Sequence, residues 1–126
     1  FGKTALICAA ENGHTGIVEL LLQKGAQIES GDGNGQTALT WAAMNNQKDT
    51  VEFLLQKGAQ VNVQDKNGMT PLISAVAYGM PNKEAVEVLL QKGAQIDLQD
   101  KDGHTALEHA GSHQEVVDMM LKIKNA

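Results

Sequence analysis

Three of the four histidines fall in the C-terminal quarter of the chain, at His104, His109 and His113. His109 and His113 stand four apart, a spacing that puts two imidazoles on one helical face, with His104 close by. Imidazole sets of this kind hold zinc-type cations. Against a metal stands the lack of any accompanying cysteine, and the histidines occupy ordinary variable places in the pattern described below. Cys8 and His14 would pair a nucleophile with a base, but Cys8 falls in a core-forming helical run and no third group orients the base. The sequence holds no G-x-x-x-x-G-K-[ST] loop to cradle phosphates. The residues that could do chemistry therefore predict no catalytic site, no cofactor and no metal.

Composition narrows the function classes further. The chain has 126 residues, 42% of them hydrophobic but only 3% aromatic, so one domain must build its core from Leu, Val, Ile and Ala. Its net charge is −5 and its ten basic residues are all scattered lysines, which argues against a nucleic-acid partner. No run of 18 apolar residues could span a bilayer, so no membrane insertion is expected. Cys8 is the single cysteine; it excludes an internal disulfide and fits a reducing compartment, hence an intracellular, cytoplasmic protein. A monomer in isolation is expected. The chain opens at Phe1 without a methionine, as an excised fragment would.

The elements that position these residues are repeated. LLQKGAQ occurs at 21–27, 54–60 and 89–95, and a second phrase recurs as GKTAL, GQTAL, GMTPL and GHTAL from Gly2, Gly35, Gly68 and Gly103. The register divides a single domain over 1–126 into units 2–34, 35–67, 68–102 and a truncated 103–126. A period of this size signals a solenoid, in which each unit buries its apolar face against its neighbours. Thr4, Thr37, Thr70 and Thr105 are placed as N-caps of a first helix, and Pro71 suits a first helical position. Gly13, Asn46 and Gly79 close that helix at equivalent places, where a left-handed backbone is needed. A second apolar helix ends at Lys24-Gly25, Lys57-Gly58 and Lys92-Gly93, each a basic residue followed by a glycine cap. The remainder reads as an extended strand, a turn such as Asp65–Gly68, and a return strand.

G-x-T-A/P-L, Gly13-His14 and V-E-L-L-L-Q-K-G-A together resemble the ankyrin repeat, over the whole chain. The resemblance implies an all-α solenoid of stacked helix-turn-helix pairs joined by β-hairpin loops. It also implies a concave groove, lined by hairpins and inner helices, that binds other proteins. One departure stands out: the family's histidine after T-P-L is replaced by Ile7, Thr40, Ile73 and Glu108, which should cost a local hydrogen bond to the threonine. Asn62, in GAQVNV, is similar to asparagines that hydroxylases modify in this family, although a structural role in the hairpin is the reading adopted.

Function in such an array lies where the units differ. The candidate partner-binding residues are Asn34, Gln36, Trp41, Met44, Asn45, Lys66, Asn67, Met69, Ala77, Tyr78, Lys101, Asp102, His104, Ser112 and His113. Lys3 shares the hairpin place of Gln36, Met69 and His104. Met44, Met69 and Tyr78 are expected to face outward, as adaptable or aromatic contacts. Trp41 is expected to pack between inner helices with one edge of its indole in the groove. The insertion at Met80-Pro81 either extends the loop beside Tyr78 for contact or is a tolerated surface change. The first unit is as apolar as the internal ones, whereas the last carries Glu108, Lys122 and Lys124. A further unit is therefore expected before Phe1 and an end to the array near Ala126. The expected function is non-catalytic protein binding. A regulatory or targeting segment of a larger enzyme or channel, acting in cis, is the alternative, and a structural spacer or self-assembling array is the third reading.

Overall fold

A computed structural model describes residues 2–78 and 81–125. Among them run α1 (Ala5–Glu11), α2 (Thr15–Gln23), α3 (Ala38–Met44), α4 (Lys48–Gln56), α5 (Pro71–Ala77), α6 (Lys83–Gln91), α7 (Ala106–Ala110) and α8 (Gln114–Lys124). The odd-numbered helices pack on one another in series, the even-numbered ones do the same, and each pair is closed by contact between its two members. The core lies between these two rows. Ala9, Ala10, Ala42, Ala43, Ala75, Ala106 and Ala110 are buried on the inner row, where small side chains let helices approach closely. Val18, Val51, Leu54, Val86, Leu89, Val116 and Met120 fill the space from the outer row.

The repeated phrases are local backbone solutions. Each threonine hydroxyl accepts the N–H three residues on, from Ile7 at 3.1 Å, Thr40 at 3.4 Å, Ile73 at 3.1 Å and Glu108 at 3.3 Å. Pro71 opens α5, where a missing N–H costs nothing. LLQKGA is a Schellman motif: in α2 the N–H of Gly25 donates to Leu22 and that of Ala26 to Leu21. Gly58 and Ala59, then Gly93 and Ala94, repeat both bonds. Gly25 has φ +98°, and Gly58 and Gly93 both have +96°, a region a Cβ disfavours. Gly13 and Asn46 also take positive φ, at +73° and +55°. Gly79 and Met80 lie outside the described residues, as do Phe1 and Ala126.

Three expectations need correction. No strand forms among the described residues. Each connection has only a closed turn, with Asp32, Asp65 and Asp100 donating their N–H to the carbonyls of Gln36, Met69 and His104. The reciprocal N–H groups, which a ladder would need, are taken instead by the aspartate carboxylates. The local bond expected to vanish with the family histidine is lost only at Ile7 and Ile73. Glu108 forms a capping box with Thr105, and the Thr40 hydroxyl lies 3.4 Å from that of Thr37. α1 is core-forming, with Leu6, Ile7, Ala9 and Ala10 turned inward, and Cys8 lies on its exposed side. The polar last unit keeps Met120 fully buried but leaves Ile123 47% exposed; at the opposite end of the outer row, Ile17 is 50% and Leu20 51% exposed on α2.

Candidate functional site

The turns and the inner helices beside them share one face, and an aspartate organises each junction. Asp32 Oδ1 accepts the backbone N–H groups of Asn34 and Gln36 at 2.9 and 3.0 Å. Asp65 Oδ1 takes those of Asn67 and Met69 at 2.8 and 3.0 Å, and Asp100 Oδ1 those of Asp102 and His104, both at 3.0 Å. The second oxygen of each then faces the inner helix. Trp41 Nε1 donates to Asp32 Oδ2 at 2.8 Å, and His109 Nε2 lies 2.7 Å from Asp100 Oδ2. Ser74 holds the equivalent place in α5 and is too short for this: Asp65 Oδ2 and Ser74 Oγ are both buried without a partner among the described residues.

These contacts set the electrostatics. Partial burial pushes the Asp32 carboxyl up, but the N–H groups of Gln36, Trp41 and Asn34 together outweigh it and hold the group below the usual carboxylate range. The His104 N–H, then the His109 ring, lower Asp100 in the same direction. Partial burial of the hydroxyl, reinforced by the charge of Asp65, raises Tyr78. Lys3 Nζ sits 4.0 Å from the centroid of the Trp41 ring while pairing with Glu11 at 2.9 Å, so the indole carries a cation on its face and an anion at its edge.

The candidate residues are not all on this face. Asn34, Asn45, Lys66, Asn67, Tyr78, Lys101, Asp102 and His104 are exposed, and Trp41, Met44 and Ala77 are half-buried. Gln36 and Met69, expected to point outward, are buried. Adjacent turns are tied by Lys66 N–H to Asn34 O at 3.0 Å and Lys101 N–H to Asn67 O at 2.9 Å, which covers the internal members of that row. Lys3 and His104, in the first and last turns, stay exposed. The two buried side chains still serve the surface from below: Gln36 Nε2 donates to Met44 Sδ at 3.9 Å, and the Tyr78 hydroxyl donates to Met69 Sδ at 3.3 Å. Ser112 and His113 were expected on an inner helix, but α7 has five residues where α1, α3 and α5 have seven. His113 therefore becomes the N-cap of α8, and with Ser112 it lines a notch against Pro81 and Lys83. Trp41 packs against the core with its indole edge at the face, as its sequence position suggested.

Sequence reasoning overlooked the aspartates, although D-x-x-G precedes three of the repeated threonine phrases, at Asp32, Asp65 and Asp100. It also overlooked the side chains that lock successive units. Gln47 and Asn82, the N-cap residues of α4 and α6, donate back to Glu11 O at 3.0 Å and to Ala43 and Met44 O at 2.8 and 2.7 Å. Asn62 Oδ1 accepts the Gln95 N–H at 2.8 Å, the structural hairpin role expected of it. The metal-ligating types come together differently from His104, His109 and His113, the set that the sequence spacing suggested and that was set aside there. Asp100 replaces His113, and one donor atom from each of Asp100, His104 and His109 lies within 4.8 Å of the others. No helix among the described residues is long and apolar enough to cross a membrane.

Compared with known proteins, residues 1–65 and 58–126 each match the family model of ankyrin repeats. No curated protein matches the chain.

Proposed function

Because the chain belongs to the ankyrin-repeat family, whose members are generally protein-interaction modules, we propose that it binds a partner protein, without catalysis, through the face built by its turns and inner helices. The observation that carries this reading is Tyr78. It is 58% exposed at the C-cap of α5, with its hydroxyl held on the Met69 sulfur and Met44 and Asn45 at the equivalent end of α3. An aromatic ring supported from beneath has little side-chain entropy left to lose on binding, and methionine beside it adapts to varied surfaces. Trp41, clamped between Lys3 and Asp32, adds a second preorganised ring on the same face. The outer row exposes Ile17 and Leu20 on α2 and Ile123 on α8, but these lie at its two ends, and between them Glu84 and Glu87 on α6 and Gln56 on α4 present solvated polar groups.

Site-specific photo-crosslinking tests the assignment. A crosslinker at Asn45 or Tyr78 should capture one discrete protein adduct that a probe at Gln56 or Glu87 does not. Capture from the outer-row positions alone would move the binding surface to the other side of the array.

A further inference from the structure

We infer that Asp100, His104 and His109 form a binding site for a single zinc-class divalent cation at the last turn. The donors come from two elements: Asp100 and His104 flank the turn, and His109 projects from α7. A zinc-type ion with bonds of about 2.0–2.1 Å keeps tetrahedral ligands roughly 3.3 Å apart. His109 Nε2 and Asp100 Oδ2 are 2.7 Å apart and all three donors fall within 4.8 Å, so the set brackets that spacing. The proton shared by His109 and Asp100 leaves as the ion enters, which is the exchange that metal binding demands of its ligands.

The carboxylate is oriented in advance. Asp100 Oδ1 is fixed by the N–H groups of Asp102 and His104, leaving Oδ2 directed at the imidazoles, and outer bonds of this kind hold a ligand in place for its metal. The His104 and His109 rings stand edge to face with centroids 5.6 Å apart. Both rings, with Glu108, border an open hollow of about 490 Å³ that leaves room for a water or a further carboxylate as fourth ligand.

The other turns act as internal controls. The counterparts of His104 and His109 are Gln36 and Trp41 in one turn, and Met69 and Ser74 in the next, yet all three turns close with the same aspartate bonds. A turn of this kind therefore has no need of two imidazoles. Trp41 meets its aspartate with a fixed N–H that cannot ligate, whereas His109 presents a nitrogen that can. His104 is exposed, and its ring makes no hydrogen bond among the described residues.

The test is calorimetric titration of the full chain with zinc chloride, in a Cys8→Ser background that removes the exposed thiol. One ion should bind with a Kd of about 10 μM or tighter. His104→Ala, which disturbs no structural bond, should weaken binding at least tenfold, roughly 1.4 kcal/mol, while His113→Ala leaves it unchanged. Imidazole nitrogen resonances of His104 and His109 should shift on zinc addition and that of His14 should not. Absence of saturable binding below about 1 mM, or an unaltered Kd in His104→Ala, would overturn the assignment. So would shifts confined to His14 and His113.

Discussion

Replacing Trp41 with Phe isolates the bond on which one edge of the proposed binding face rests. The substitution keeps an aromatic ring beneath Lys3, but removes the N–H that meets Asp32 Oδ2 at 2.8 Å. A hydrogen bond to a charged group contributes about 1.5–3 kcal/mol when its loss leaves the charge unpartnered. Asp32 is half-buried and retains two backbone donors on its other oxygen, so water recovers part of the loss. A cost of about 1 kcal/mol follows for the bond itself, with a smaller addition for lost indole packing. In a chain of this size that lowers the thermal midpoint by roughly 4 °C.

Trp41 is the only tryptophan, so unfolding must be followed by far-ultraviolet circular dichroism in both proteins. A cycle with Asp32→Ala separates packing from hydrogen bonding: the two substitutions should couple by about 1 kcal/mol. The pH dependence supplies a second check. A carboxyl held below its unfolded value contributes stability that is complete above that value, near 3.9, and is lost as pH falls through the lower folded value. The difference between wild type and Trp41→Phe should therefore be full at neutral pH and shrink as the pH falls below about 4. Additivity of the two substitutions within about 0.4 kcal/mol would refute the reasoning, since it would mean that the indole and the carboxylate do not interact in solution.

Two further outcomes are expected. Asn46→Ala should destabilise the chain by about 1 kcal/mol more than Asn46→Gly in urea unfolding. Both lose the bonds to Glu84 at 2.6 Å and to the Ala85 N–H at 3.1 Å, but only alanine is strained at φ +55°. Equal stability would show that the left-handed backbone is not what asparagine supplies there. In hydrogen exchange, amides of Thr4–Lys24 should exchange faster than those of Thr37–Lys57, because α1 and α2 have a neighbouring helix pair on one side only, α3 and α4, while α3 and α4 are packed between two pairs. Equal or greater protection in the first helix pair would overturn this ordering.

The parts of the fold that were legible in the sequence are those decided within a few residues. A threonine three positions before the N–H it accepts, a proline at N1 and a glycine after Lys are complete local arguments, and each recurs because each unit meets the same backbone problem. The outward or inward direction of a side chain in the turns was less legible. Gln36 and Met69 occupy the same register as Lys3 and His104, but they are buried because a neighbouring turn is stacked over them. That cover comes from residues more than thirty positions away, as Lys66 N–H to Asn34 O and Lys101 N–H to Asn67 O make plain. The displacement of Ser112 and His113 from the inner row had a visible signal, the shortened last unit, but its effect depends on where α7 stops.

The same register comparison explains why the proposed face centres on Tyr78. Three equivalent aspartates present a second oxygen to an inner helix, and a ring N–H or ring nitrogen meets it at Trp41 and His109. Between them, Ser74 leaves Asp65 Oδ2 and its own hydroxyl buried and without a partner among the described residues, where a longer residue at that place reaches across in the neighbouring turns. A buried polar group without a partner costs roughly 1–3 kcal/mol, and natural chains concentrate such departures from local consistency at functional positions. Tyr78 lies beside this junction, close enough for the Asp65 charge to raise its hydroxyl, and its bond to Met69 is to a weak sulfur acceptor. The middle of the face therefore joins a buried polar pair to the most exposed aromatic ring among the described residues. A partner offering a strong acceptor to the Tyr78 hydroxyl would replace a weak bond with a better one, at little ordering cost, where neither Trp41 nor His109 has such a gain to make.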